Sequence, residues 1–381
     1  MKTVLLTLGR LPKALAIARA CHAAGCRVLV ADPFRWHVCK PSRDVARSFR
    51  VTAPNTSLDQ FLNDLLGIVE RESVDIVIPI SEEALHVAKL RDRLPADVRL
   101  WAMPLAQLAQ LHHKRDFIAL ARQKGLSVPE TFTANEPGAR ALALRSDYVE
   151  KPVHSCSGIG LRFAKAGDAL VSSSAEGLVQ THLDGDLISS FSVVTQGREV
   201  ATVFYRGAVF AGTVAICFER VDDAVSAKKW VSDFIAGSDS DSAYTGFLAF
   251  DFIVDKAGEA RAIECNPRAT SGVHFFDPAS LGQALLDPEG AAGIKLSSGT
   301  RYQWAYSTLT ETYAALLQPR EFLRRFKEML AARDVIWAAH DPLPFLLMTP
   351  MSWEILWPAM TSKMSLGEAT QRDIAWFGDE P

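Results

Sequence analysis

Several things are missing from this chain, and each absence excludes a class of protein. No two cysteines stand in a Cys-x-x-Cys spacing. Cys21, Cys26, Cys39, Cys156, Cys217 and Cys265 occur singly, mostly inside apolar patterns. That spacing excludes a disulfide framework or zinc ribbon and reads as reduced thiols, so the expected compartment is cytoplasmic. No stretch of five or six like charges occurs, and the net charge is −3. Neither nucleic acid nor an anionic membrane surface is therefore the expected partner. Long unbroken apolar runs are also missing. The most apolar stretch, residues 343–360, is interrupted by Pro344, Pro350 and Pro358, which unsuits it as a spanning helix of about 20 residues. Residues 1–9 lack the apolar core and cleavage site of an export signal, so export is not expected. Finally, the first turn reads Leu8-Gly9-Arg10-Leu11-Pro12. Without the Gly-x-Gly-x-x-Gly that lets a pyrophosphate approach a helix start, a dinucleotide reductase is disfavoured.

With 381 residues, 48% of them hydrophobic, the chain has the material for two or three packed domains. Up to about residue 105, short β-branched runs (4–8, 27–31, 74–80) alternate with helical periods (12–24, 58–72, 82–93). This pattern predicts βαβ units and a parallel sheet. Residues 105–125 read as one long helix closed by Gly125. Strands then dominate: 147–151, 159–163, 178–183, 187–196, 199–205 and 208–218. A helix over 227–236 and a polar loop at 237–242 lead into a hairpin at 246–266. Beyond Pro278 helices return at 308–317 and 320–333, and the chain closes with a tail rich in tryptophan and proline.

The hairpin carries the most chemistry. Strands repeat every two residues, so Glu264 and Asn266 share one face of the second strand, and Asp251 on the first strand can face them. Hard oxygen donors so placed suit magnesium, which usually takes one or two carboxylates plus nucleotide phosphate oxygens. Taken alone, the pattern is also that of a hairpin with acids on its wet face. Lys151 ends a strand just before Pro152 and a small-residue loop, His154-Ser155-Cys156-Ser157-Gly158-Ile159-Gly160. A point charge there can bridge phosphates while loop amides close over them; an ordinary hairpin lysine beside a turn is the alternative. Arg268 has the planar fork that binds phosphoryl or carboxylate groups, or it forms a structural ion pair.

The run Glu264-Cys265-Asn266-Pro267-Arg268 with Asp251 resembles the metal-binding signature of the ATP-grasp superfamily, in the branch of carbamoyl-phosphate synthetase, biotin carboxylase and the amino-acid ligases. Five motifs in family order support the resemblance over roughly residues 1–290. It implies an α/β (α+β) ATP-grasp fold. The implied parts are an N-terminal Rossmann-like βαβ domain (1–110), a small lid subdomain (111–185), a large subdomain with the magnesium site (186–295) and a helical C-terminal extension (296–381). ATP and Mg2+, or Mn2+ in its place, are the implied cofactors. Asp251, Glu264 and Asn266 would hold the metal, and Lys114, Lys151, His154 and Ser155 would meet phosphates. Gln180, His182 and Leu183 would flank adenine, and Asp186 would meet the ribose. Arg268 and Lys151 would act on the transferred phosphoryl group. The family usually carries more glycines in the loop after Lys151 and a glutamate where Asp186 stands; without the family, Asp184-Gly185-Asp186 is a tight turn and Lys114 an exposed helix lysine.

The implied activity is an ATP-dependent carboxylate–amine ligase that forms an amide through an acyl phosphate. A phosphotransferase, or a ligase using a thiol or hydroxyl, remains the alternative. Small-molecule carboxylate and amine substrates are the implied partners. Ser271, Gly272 and His274 would lie near the acceptor, while Arg10, Ser81, Glu82 and Arg220 are further contacts or ordinary structural residues. In the tail, Trp337, Trp353 and Trp357 with Phe345, Leu346 and Leu347 read first as core packing. A pocket for an apolar acyl group and a homodimer face are the alternatives.

Overall fold

The computed structural model describes residues 1–153, 160–172, 174, 176–237, 243–290, 293–362, 364, 366–376 and 378. Strands β1 (Thr3–Leu6), β2 (Arg27–Asp32), β3 (Arg47–Arg50), β4 (Ile76–Ile78) and β5 (Arg99–Leu100) form a parallel sheet in the order β3-β2-β1-β4-β5. Its central strands are buried along their length, as a parallel sheet covered on both faces requires. Helix Pro12–Ala23 opens with proline, whose fixed φ and missing N–H suit a first helical position. Helix Leu58–Glu72 is capped by the Ser57 side chain.

Residues 105–125 are not one helix. The chain breaks at His113 (φ −73°, ψ 108°), giving helices Leu105–His112 and Lys114–Gln123. His113 is the cap of the second, its Nδ1 accepting from the Asp116 N–H at 3.2 Å. Histidine is not among the preferred capping residues, and the apolar period runs through the break, so nothing in the sequence marks it. The break puts Lys114 at the first turn of a new helix, where it is buried.

Strands β6 (Thr131–Thr133), β7 (Tyr148–Pro152), β8 (Arg162–Ala164) and β9 (Gly177–Thr181) make an antiparallel sheet ordered β6-β9-β7-β8. The large sheet contains β10 (Asp186–Thr195), β11 (Arg198–Ala211), β12 (Val214–Val221), β13 (Gly246–Val254), β14 (Ala260–Asn266), β15 (Arg301–Gln303) and β16 (Arg333–Asp334). Their order is β14-β13-β10-β11-β12-β15-β16. The expected break at Arg206-Gly207 is absent: β11 runs on to Ala211 and turns at Gly212, whose φ is +59°. Gly207 is a strand residue, and a Cβ on it would stand 2.2 Å from the Phe210 ring. The expected C-terminal helices occur at Ala305–Ala314 and Pro319–Ala331, while β15 and β16 join the edge of the large sheet.

One aromatic cluster braces the large sheet from behind. Phe117, Trp230, Phe234, Phe250 and Phe252 meet with ring centroids 5.0 to 6.2 Å apart. Because β13 alternates, burying Phe250 and Phe252 in this cluster turns Asp251 and Ile253 to the opposite face, into the cavity described next.

Candidate active site

A cavity of about 570 Å³ lies between the small and large sheets, within the usual range of roughly 300–1,000 Å³ for ligand sites. Lys114, Lys151, Gln180, His182, Leu183, Asp251, Glu264, Asn266 and Arg268 all line it. Residues separated by up to 154 positions in sequence therefore converge there.

The acid pair stands on adjacent strands in direct register, Asp251 opposite Glu264. The ladder shifts just past that pair, where Phe252 pairs with Ala262 and leaves Ile263 as the extra residue of a bulge. The bulge has a use, because the Ile263 carbonyl accepts from Lys151 Nζ at 3.1 Å. Gln180 Oε1 accepts from the same ammonium at 3.0 Å, while Gln180 Nε2 donates to Thr131 Oγ1 at 2.9 Å. Gln180 thus aims Lys151 as well as lining the cavity. Lys114 Nζ lies 4.0 Å from Glu264 Oε2. Asn266 Nδ2 donates to Asp251 Oδ2 at 3.2 Å and to Glu264 Oε1 at 3.3 Å, and Asn266 Oδ1 accepts from Arg268 at 3.1 Å. Ser189 Oγ donates to Asp251 from the neighbouring strand β10.

Burial governs the charges. It pushes the Asp251 carboxyl well above the usual range, and the neighbouring Glu264 adds to the effect. Burial acts on Glu264 in the same sense, but Lys114 and Lys151 together overcome it and hold that carboxylate low. Lys151 is brought down to about 8 by burial, against the attraction of Glu264. Two half-buried carboxyls, one of them inclined to keep its proton, are a site that a divalent cation would discharge. Among the described residues there is no cluster of three or more His, Cys, Asp or Glu side chains able to cage a metal. The hard oxygen donors of Asp251 and Glu264 fit magnesium, which usually takes one or two carboxylates and fills its shell with phosphate oxygens and water. Asn266 presents its amide nitrogen to the acids and its amide oxygen to Arg268, so it would join that shell only with the amide reversed.

Not every expected residue falls here. His154 and Ser155 lie outside the described residues. Asp186 opens β10, pairs with Val254 and is exposed, away from the cavity wall. Arg10 is buried in ion pairs with Asp32 and Asp373, both at 2.7 Å. Arg220 pairs with Asp222 at 2.7 Å. The tail tryptophans 337, 353 and 357 are half-exposed and also stand apart. Conversely, Lys13, Gly207, Phe210, Ala215, Trp304 and Gln371 all line the cavity, and no sequence pattern points to them. The lysine sits on helix Pro12–Ala23 with Nζ 2.7 Å from the Ala269 carbonyl, a contact across 256 residues that no local pattern encodes.

Residues 112–272 match the sequence model of the ATP-grasp domain. The chain carries an ATP-grasp domain. No curated protein matches it in sequence. Solved structures share the fold. The biotin carboxylase domain of Hydrogenobacter thermophilus 2-oxoglutarate carboxylase, in complex with MgADP, ADP and bicarbonate, has TM-score 0.60 and 13% identity. The match covers 76% of this chain and 70% of that one. N5-carboxyaminoimidazole synthetase from Staphylococcus aureus, complexed with ADP, has TM-score 0.58 and 14% identity, covering 77% and 80%. L-amino acid ligase from Bacillus licheniformis has TM-score 0.57 and 14% identity, covering 75% and 74%. The ATP-grasp match begins at His112, just before the helix break that buries Lys114, and ends at Gly272, just past the acid hairpin and Arg268.

Proposed function

We propose that the protein is an ADP-forming, ATP-dependent ligase that joins a carboxylate to an amine. One observation carries the reading: within an ATP-grasp domain, Asp251 and Glu264 stand side by side in register on one wall of a cavity that Lys13, Lys114, Lys151 and Arg268 also line. The relatives' own complexes contain ADP or MgADP, and the donor set here suits the same ligands.

The apolar slot formed by Val149, Leu161, Phe163, Leu183 and Ile253 takes the base, and Lys151 and Lys114 take the phosphates. Asp251 and Glu264, with Asn266, would hold magnesium, which would supply charge neutralisation at the phosphate tail. Arg268 holds the acceptor carboxylate. A carboxylate oxygen attacks the γ-phosphorus, the bond from phosphorus to ADP breaks, and an acyl phosphate forms. An amine then attacks the acyl carbon. The carbon–oxygen bond to phosphate breaks, and the amine's proton leaves to solvent. Such chemistry rests on positioning and charge more than on a protonic base, in keeping with a site of four cations and two acids.

The reading is tested by following ADP and phosphate release from MgATP over panels of carboxylic acids and amines. Release that requires both partners is the expected result. A phosphate group retained on an acceptor makes the protein a phosphotransferase instead. Glu264→Gln and Lys151→Ala are each expected to abolish turnover in protein that remains folded by circular dichroism, and near-normal activity in either would remove the assignment.

A further inference from the structure

The cavity has a second end. From Asp251 on β13 it crosses Ser189 on β10 and Tyr205 and Gly207 on β11, and it reaches Ala215 on β12. Three strand steps make this roughly 14 Å. Its charged lining side chains, Lys13, Lys114, Lys151, Asp251, Glu264 and Arg268, all come from other elements, and the β11–β12 wall contributes none among the described residues. That wall presents Tyr205, Phe210, Val214 and Ala215, and Trp304 adds an indole. Gly207 makes the shape possible: the Phe210 ring folds back over the strand, in space that a Cβ at position 207 would occupy. Phe210 remains 38% exposed, an aromatic face lining a cavity with nothing packed on part of it. His274, at the same end, is held neutral because burial takes its imidazole down to about 3. At the other limit of this lobe stands Arg268. Its nearest carboxylate, Glu82, is 3.7 Å away, and its buried Nε has no hydrogen-bond partner among the described residues.

A cation at one end and an uncharged aromatic wall at the other select an amphipathic anion. Burying an apolar body against such a wall supplies affinity in proportion to area, while the Arg268 guanidinium, which lines the cavity, attracts the anionic head. We propose that this lobe takes a carboxylic acid with an aromatic-sized apolar body, its carboxylate at Arg268 and its body against Phe210, Ala215 and Trp304. The proposal rests on the ligase reading for the fate of the carboxylate, but binding tests it separately.

The full-length protein, saturated with MgADP, is titrated calorimetrically with 3-phenylpropionate and with propionate. The phenyl acid is expected to bind about 30-fold more tightly, the effect of burying one ring. Ala215→Trp fills the lobe and is expected to abolish that preference, and Phe210→Ala to reduce it severalfold while Phe210→Leu keeps most of it. ADP affinity, which involves none of these residues, shows that each variant is folded. Equal affinity for the two acids, or a preference that survives Ala215→Trp, overturns the proposal. If the phenyl acid binds selectively and Ala215→Trp removes that selectivity, yet no amine elicits ADP release, the lobe assignment stands and the ligase reading falls.

Discussion

At the scale of single residues, the site is a set of buried and half-buried charges whose protonation the protein controls. Lys151 is the clearest case. Because burial lowers its folded-state value to about 8, the ammonium is charged below that pH and progressively neutral above it. Affinity for magnesium-free ADP is therefore expected to fall as pH rises from 8 to 9.5, and in Lys151→Ala this fall should vanish; calorimetry across that range decides. Asp251 is perturbed in the opposite chemical sense, since its raised carboxyl keeps a proton that a cation must displace. Magnesium affinity of the nucleotide-free protein should strengthen with rising pH, by at most about tenfold per pH unit for one proton released. A proton count of zero in buffers of different ionisation enthalpy would contradict this. Gln180 sits behind Lys151, and Gln180→Leu removes an acceptor from a buried ammonium, a loss of about 1–3 kcal/mol. The expected signature is a raised KM for ATP with kcat less affected. That Asp251, Glu264 and Asn266 share one face was legible in the local period-two pattern of the hairpin, and Lys151 was legible as the close of a strand before a small-residue loop, while Arg268 was picked out by the family resemblance. The role of Gln180 as the residue that aims Lys151 was not, because it depends on β7 and β9 pairing side by side.

At the scale of elements, two irregularities build the site. The β14 bulge frees the Ile263 carbonyl for Lys151, and the His113 break starts a second helix at Lys114. Neither has a composition signal: the bulge is a matter of register between strands, and the break is capped by a histidine within an unbroken apolar period. Similarly, Gly207 looks like a turn residue until Phe210 is seen lying over it. What the sequence did show was the alternation of β13, which buries Phe250 and Phe252 behind Asp251. Phe250→Ala should cost about 3–5 kcal/mol, the usual loss for a buried phenylalanine. Chemical denaturation should register that loss, and nucleotide affinity should weaken with it as Asp251 loses its backing. A stability change below 1 kcal/mol would mean the cluster does not brace the strand.

At the scale of the whole molecule, the C-terminal segment returns to the N-terminal domain. Arg10 is shared between Asp32 and Asp373, Asn55 donates to the Arg372 and Ala375 carbonyls, and the His86 and Trp376 rings meet edge to face at 5.0 Å. This closure brings Gln371 to the cavity, its Oε1 3.3 Å from Ser81 Oγ. The tail was expected to lie outside the shared core, and composition could not reveal that its last turn docks some 360 residues upstream. Asp373→Ala should detach it, because the Arg10 fork loses one of its two carboxylates. Hydrogen exchange over 366–376 is expected to accelerate while the parallel sheet stays protected; unchanged exchange would show that the apolar contacts hold the segment alone.

The proposed ligase requires phosphoryl transfer from ATP to a carboxylate oxygen at the Asp251–Glu264 site. The most direct test uses a carboxylic acid labelled with 18O in both oxygens, turned over with MgATP and an amine, and mass analysis of the phosphate released. An acyl phosphate intermediate predicts one 18O atom in each phosphate. Phosphate released without label, at a rate matching amide formation, would rule out that intermediate.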